Sequence, residues 1–324
     1  MYAIVAESAG GPEVLRYVEA PEPDPQSGEL LVEAAGIGVN FIETYQRSGL
    51  YPIRFPFTPG AEAAGRVVAV GDAVTGFAVG DRILTAEGRA TYAKRFTVAA
   101  EAAVRVPDAL AEALSDEAAA ALPLQGLTAH YLATSAAQPD TGETVLLHAG
   151  AGGVGLLLTQ ILTARGVRVV TTASTEAKRE LSLAAGAVEA LAYAGFRERV
   201  LELTDGEGAA VVYDGVGKTT FDESLASLRV RGEMVLFGAA SGPVPPVDPQ
   251  RLNAGGSLTL TRPSLVHFLR APGERAWRYG DLFAGIEAGT LQLRVGATFP
   301  LAEAAAAHSA LEGRATTGKV VLVP

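Results

Sequence analysis

The 324-residue sequence contains no cysteine. Disulfides, thiolate nucleophiles and cysteine-based zinc sites are therefore excluded. Lysine is scarce, confined to positions 94, 178, 218 and 319, and the formal charge is −10. Without clustered basic residues to neutralise phosphates, no nucleic-acid partner is expected. No apolar run approaches the roughly 20 residues that a membrane-spanning helix needs. The N-terminus, Met1 to Glu7, lacks the basic start and long apolar stretch of a secretory signal and alternates like a strand. A soluble, cytoplasmic protein with no membrane partner is the expectation. The four histidines, at 130, 148, 267 and 308, never show metal-binding spacing. No Ser-His-Asp ordering or carboxylate pair supports hydrolysis.

The length exceeds one ordinary domain, so two domains, or one interrupted by another, are expected. The first 110 residues hold β-rich segments at Leu30 to Val39, Gly65 to Val70, Asp81 to Thr85 and Thr91 to Val98. Turn signals such as Gly71-Asp72 and Val79-Gly80-Asp81 separate them, which predicts a mostly-β domain. Ser115 followed by Asp116 and Glu117 predicts a helix start, and Pro123 its end. From Thr144 the rhythm changes. Strands at Val145 to Leu147, Val167 to Thr171, Ala210 to Asp214 and Met234 to Gly238 alternate with helices at about Gly153 to Arg165, Glu176 to Ala185 and Phe221 to Arg229. Buried strands spaced by amphipathic helices predict an α/β fold with a doubly wound parallel sheet. The tail ends in a strand, Lys319 to Val323, expected to return to the first domain and make the sheet domain an insertion. The expected boundaries are 1–122 with 265–324, and 123–264.

Gly150-Ala151-Gly152-Gly153-Val154-Gly155 joins a predicted buried strand to a predicted helix and matches G-x-G-x-x-G. The first glycine permits the tight turn, the second admits a pyrophosphate, and the third lets helix and strand approach. Amides of the helix start, among them those of Gly153 and Val154, then face the phosphates. In NAD-specific sites a carboxylate about 20 residues on, closing the second strand, binds the ribose hydroxyls. Here that strand ends Thr171-Thr172-Ala173-Ser174. A carboxylate would repel a 2′-phosphate, whereas Ser174 can donate to it and Lys178 or Arg179 can supply charge. The pattern predicts NADPH.

The sequence resembles the quinone oxidoreductase, or zeta-crystallin-like, zinc-independent branch of the medium-chain dehydrogenase/reductase superfamily over nearly its whole length. The resemblance is carried by Gly38 to Tyr45, Arg47 to Tyr51, Gly126 to Ala129, the glycine loop, Val212 to Gly217, Thr261 to Ser264 and Arg314 to Thr316. It implies a GroES-like catalytic domain, a Rossmann insertion, a cleft between them, a homodimer, and NADPH-dependent reduction of quinones or related enones. By position it implies adenosine-phosphate contacts at Lys178 and Tyr193 and a second basic contact at Arg314. Phe237 and Gly238, closing the fourth Rossmann strand, correspond to the segment that supports the nicotinamide ribose and amide, and Gly215, in the Val212 to Gly217 stretch, is a further expected cofactor contact. Asn40, Tyr45 and Thr128 correspond to cleft residues beside the nicotinamide. Some relatives carry Lys where this chain has Gln125.

Zinc-dependent relatives bind their metal through cysteine and a Gly-His-Glu segment. The corresponding segment here is Pro59-Gly60-Ala61-Glu62, and Ala61 cannot ligate a metal. Several residues keep two readings. Glu62 is a structural carboxylate paired with an arginine or a participant in proton transfer. Asn40 bonds a carbonyl oxygen or fixes a turn; Tyr45 and Tyr51, read as loop residues, line a substrate site or cover a core. Thr128 meets the nicotinamide amide or bonds its own helix backbone. His148 is a hydrogen-bonded strand end or a proton relay. At the level of function, an enone or alkenal reductase and a nonenzymatic NADPH-binding protein stand beside quinone reduction.

Overall fold

The computed structural model describes residues 1–271 and 273–324, and the chain divides into two compact units, 1–125 with 293–324, and 126–292. Along the first stretch run β1 (Tyr2–Val5), β2 (Arg16–Glu19), β3 (Glu29–Val39), α1 (Phe41–Arg47), β4 (Ala63–Val70), β5 (Arg82–Thr85), β6 (Arg95–Ala99), β7 (Val104–Arg105) and α2 (Asp116–Ala120). The chain then enters the second unit through α3 (Pro123–Tyr131), whose last turn widens into a π-helical segment at Leu132–Ala136. There follow β8 (Thr144–Leu147), α4 (Gly153–Ala164), β9 (Arg168–Thr172), α5 (Glu176–Ala184), β10 (Glu189–Leu191), α6 (Phe196–Leu203), β11 (Ala209–Asp214) and α7 (Phe221–Ala226). The unit closes with β12 (Leu228–Leu236), α8 (Gln250–Ala254), β13 (Thr259–Thr261) and α9 (Glu274–Glu287). The chain returns to the first unit as β14 (Val295–Pro300), α10 (Ala304–Glu312) and β15 (Lys319–Val323).

The first unit is a seven-stranded sheet, ordered β14-β15-β3-β4-β5-β7 with β6 also on β3, beside a small β1-β2 ribbon. Its inward residues, among them Val32, Ile37, Phe96, Val98 and Leu322, form one buried cluster. The tail does return as expected: β15 lies antiparallel to β3 with Val320 opposite Val39, so Lys319 arrives beside Asn40. Residues 265–292, assigned from sequence to the first unit, cluster with the second.

The second unit is a parallel sheet ordered β10-β9-β8-β11-β12-β13. Numbered within the unit this is 3-2-1-4-5-6, the doubly wound dinucleotide-binding order. Leu146, Val170, Val212 and Met234, from four neighbouring strands, pack together on one face. The sequence reading passed over β10 and β13, so the strand before Phe237 is the fifth, not the fourth; it begins at Leu228 and ends at Leu236. Pro123 does close α2, and it also opens α3 at a position where a missing N–H is harmless.

Candidate functional site: a glycine loop and two buried polar clusters

Beyond β8, Ala149 takes a left-handed turn (φ 56°) and the Gly150 amide donates to the Thr172 carbonyl at 3.0 Å. The loop is thus tied to the second strand. A methyl group on Gly150 would lie 2.6 Å from Thr171 Cβ, and one on Gly155 would lie 2.4 Å from the Ala149 carbonyl oxygen. These two glycines are required by packing. A methyl group on Gly152 would meet only the Ala149 oxygen, at 3.2 Å, and Gly152 has an ordinary extended backbone (φ −77°). Gly152 therefore keeps open a space that its own fold does not fill. It precedes α4, a 12-residue helix with no side chain capping its N-terminus, so the amides from Gly153 onward and the positive end of the dipole are available to an anion. The loop fits a pyrophosphate.

The floor of the loop is a buried hydrogen-bond chain. The Asp214 carboxylate, at the end of β11, accepts from the amides of Val216 (2.7 Å) and Gly217 (2.9 Å) and from the hydroxyls of Thr220 (2.7 Å) and Ser224 (3.0 Å). With its proton given to Asp214, the Ser224 oxygen accepts from His148 Nε2 at 2.8 Å, and the Thr172 hydroxyl donates to Nδ1 at 2.8 Å. His148 is thereby a neutral Nε2–H tautomer, and burial pushes its pKa below the ordinary 6.5. Its ring also stacks on Tyr193 and meets Phe196 edge-on. Both ring nitrogens bond to buried hydroxyls, the geometry of the structural reading.

On the β9 side, Ser174 is exposed, and Thr175 caps α5 by accepting from the Lys178 amide at 3.3 Å. The cap fixes where the half-buried Lys178 side chain begins. Arg179 pairs with Glu176 one turn earlier on the same helix. On the opposite side of β8, the amides of Phe237 (2.9 Å) and Gly238 (3.3 Å) donate to the Asp214 carbonyl. A methyl group on Gly215 would strike the Phe237 ring at 2.8 Å, and one on Gly238 the Gly215 oxygen at 2.4 Å. Thr128 sits half-buried on α3, and among the described residues its hydroxyl has no hydrogen-bond partner. Thr134 and Thr159 instead bond their own helix backbone four residues back.

In the first unit the expected loop after β3 is α1. Asn40 precedes it, and the Asn40 amide donates to the Glu43 carboxylate at 2.8 Å. Tyr45 lies on the helix and Tyr51 just beyond it, their rings 5.3 Å apart. The Asn40 side chain donates from Nδ2 to Glu62 Oε2 at 2.9 Å and accepts at Oδ1 from Lys319. Lys319 also contacts Glu62 directly, and Glu62 accepts from the Leu124 amide at 2.7 Å. Glu62 is a structural carboxylate as one reading held, but its cation is Lys319 and not an arginine. Gly38 makes room for it: a methyl group there would overlap Glu62 Oε2 at 2.0 Å. Gln125 is buried with its amide nitrogen turned back onto the Ala121 carbonyl. Arg314, in a left-handed conformation (φ 54°), lies between α10 and β15.

Sequence reasoning missed Lys319, Glu43, Asp214 and a second buried group, Arg47, His308 and Tyr92. A lysine opening an otherwise apolar strand was the available signal, since lysine is seldom fully buried unless paired. Arg47 donates to His308 Nδ1 at 3.3 Å, so the ring's Nε2–H donates to Tyr92 at 3.1 Å. Burial, helped by the Arg47 charge, drives the His308 pKa down to about 3. Burial, with the Glu62 charge adding to it and Lys319 opposing, raises Glu43 from 4.5 to about 7.

These shifts act on stability in opposite senses. Between pH 6.5 and 3 the unfolded chain holds a proton that folded His308 refuses, so His308 makes stability fall as pH falls. Between pH 4.5 and 7 folded Glu43 holds the extra proton, so its contribution is present below 4.5 and lost as pH rises toward 7. The two slopes offset each other between pH 4.5 and 6.5. Glu43→Gln removes one of them. The unfolding free energy of the variant, from urea titrations, is expected to fall with acid more steeply than wild type across this window, by up to about 1.4 kcal/mol per pH unit. Parallel pH dependences would show that Glu43 is not held protonated by burial.

Among the described residues no group of three or more His, Cys, Asp or Glu is placed to hold a metal ion, and no helix is long and apolar enough to cross a membrane.

Comparison with known proteins matches residues 26–138 to the alcohol dehydrogenase GroES-like domain and residues 153–278 to the zinc-binding dehydrogenase family. A quinone oxidoreductase of Pseudomonas aeruginosa is 44% identical over 97% of each chain. The structure of a mycobacterial protein complexed with NADPH superposes with a TM-score of 0.96 at 53% identity, covering 100% of both chains. Escherichia coli quinone oxidoreductase complexed with NADPH gives a TM-score of 0.96 at 40% identity, again over 100% of both.

Proposed function

The chain belongs to the quinone oxidoreductase, or zeta-crystallin-like, branch of the medium-chain dehydrogenase/reductase superfamily, and on that premise we propose that it is an NADPH-dependent quinone reductase working without a metal. The observation that carries the reading is the open space at Gly152 before the uncapped start of α4, together with a second strand end that bears Ser174 and no carboxylate. NADPH supplies the hydride. The amides around Gly150, Gly152, Gly153, Val154 and Gly155 hold its pyrophosphate. Ser174, Lys178 and Tyr193 take the 2′-phosphate and adenosine, with Arg314 a further basic contact. Gly215, Phe237 and Gly238 support the nicotinamide ribose, and the Thr128 hydroxyl serves the carboxamide.

Asn40, Tyr45 and Tyr51 contact the acceptor in this reading. Asn40 gives one amide hydrogen to Glu62 and keeps the other. That hydrogen is a donor for a carbonyl oxygen that gains charge as hydride arrives. With alanine at position 61 and no cysteine, no Lewis acid is at hand to polarise a simple ketone. A conjugated acceptor, which spreads the charge, suits such a site. The reading is completed by a cytoplasmic homodimer acting on a small molecule, with neither nucleic acid nor membrane as partner.

Steady-state turnover with NADPH across quinones and α,β-unsaturated carbonyls tests the proposal. Quinones are expected to show kcat/KM at least tenfold above enones. A tenfold preference for enones would make the chain an enone or alkenal reductase, and tight NADPH binding with no turnover would make it a nonenzymatic binding protein.

A further inference from the structure

Arg278, on α9, is wholly buried in the second unit, and no step of the proposed reaction uses it. A guanidinium so placed must have its donors satisfied. Its Nε donates to the Phe268 carbonyl at 3.0 Å, Nη1 to His130 Nδ1 at 3.1 Å and to the Thr134 hydroxyl at 3.3 Å, and Nη2 to the Ser135 hydroxyl at 3.1 Å and to Glu274 at 3.4 Å. Because Arg278 occupies Nδ1, His130 is a neutral Nε2–H tautomer that donates to Asp281 at 2.9 Å. Two separate pieces of chain are tied by this one side chain. One is the end of α3 with its π-helical turn. The other is the segment that leaves β13 and ends at Phe268, whose ring stacks on Tyr131, the last residue of α3, at 4.5 Å.

The sheet order says what the segment after β13 faces. A pyrophosphate on the loop after β8, with the 2′-phosphate end at Ser174 and Lys178 beyond β9, sends the other half of the dinucleotide toward β11, β12 and β13. Gly215 follows β11, Phe237 follows β12, and 262–268 follows β13. Thr128, whose hydroxyl has no hydrogen-bond partner among the described residues, lies three residues before Tyr131 on α3. A π-helical turn bonded to a buried arginine fixes the end of that helix.

We infer that Arg278 is a positioning residue for the nicotinamide end of the cofactor site: it clamps the segment after β13 to the helix that carries Thr128. The inference rests on the NADPH reading and deepens it. The neighbouring Trp277 provides a built-in reporter. It is the only tryptophan of the chain, its ring lies 5.0 Å from His130, and the Arg278 guanidinium stands 4.6 Å from its centroid.

The test compares two ligands, NADP⁺ and 2′-phospho-ADP-ribose, which lacks the nicotinamide. In the wild-type protein NADP⁺ is expected to shift Trp277 emission and 2′-phospho-ADP-ribose to leave it unchanged; identical responses would overturn the inference. Arg278→Lys keeps the charge but not the fork of donors. The variant is expected to bind 2′-phospho-ADP-ribose as wild type does, to bind NADP⁺ at least tenfold more weakly, and to lose at least tenfold in kcat at saturating NADPH. Equal weakening of both ligands, or an unchanged kcat, would reduce Arg278 to a general structural role. Should the variant fail to fold, the wild-type emission comparison still decides. A wild-type protein that binds neither ligand would overturn the NADPH reading, and the positioning role with it.

Discussion

Lys319→Met is expected to destabilise the protein by about 3–5 kcal/mol, the range for removing one partner of a buried ion pair. Glu62 is fully buried and Lys319 is 3% exposed, so neither charge is shared with solvent. Glu62 would keep the Asn40 and Leu124 donors but lose Lys319, its one ion-pair partner among the described residues. The loss reflects a stranded carboxylate more than the worth of the pair itself. Glu62→Gln combined with Lys319→Met is therefore expected to be markedly more stable than Lys319→Met alone. Urea unfolding of the three proteins checks this. A loss below about 1 kcal/mol for Lys319→Met would mean that water reaches the pair.

Alanine at two glycines of the loop is expected to separate packing from ligand binding. Gly155→Ala drives a methyl group to 2.4 Å from a backbone oxygen that cannot step aside, and overpacking of this kind costs about 1–3 kcal/mol. Gly152→Ala meets no comparable obstacle and adopts an extended backbone open to any residue. It should unfold at the wild-type urea concentration yet bind NADPH ten- to a hundredfold more weakly, because its methyl group occupies the space kept for the pyrophosphate. Calorimetric titration and unfolding midpoints read the two effects separately. Wild-type affinity in Gly152→Ala would remove the pyrophosphate from this loop.

How much of this was legible depends on how local each feature is. The glycine loop was readable because a tight turn, a close approach and a helix start need glycines at fixed spacing between β8 and α4. The carboxylate-free strand end at Ser174 was readable for the same reason. Strands β10 and β13 were missed because three residues are too few to show alternation. The seven residues of α1 passed for a loop, which misplaced Tyr45. A buried carboxylate paired with a cation is one of the two sequence readings of Glu62, but the cation stands 257 positions away. Only the register of β15 on β3 brings Lys319 to it. The Arg278 clamp joins positions 130 and 278 and leaves no periodic trace at all. What a single strand or turn decides could be read; what a sheet edge or a tertiary contact decides could not.

Selection of NADPH is proposed to occur at the end of β9. The decisive measurement is kcat/KM for NADPH and for NADH, with one quinone, in the wild-type protein and in Lys178→Ala. A charge-assisted contact to the 2′-phosphate contributes about 1.5–3 kcal/mol, so wild type should prefer NADPH by at least tenfold. Lys178→Ala should lose most of that preference while its rate with NADH stays near wild type. An equal loss with both cofactors, or no preference in the wild-type protein, would rule out selection of the 2′-phosphate by Lys178.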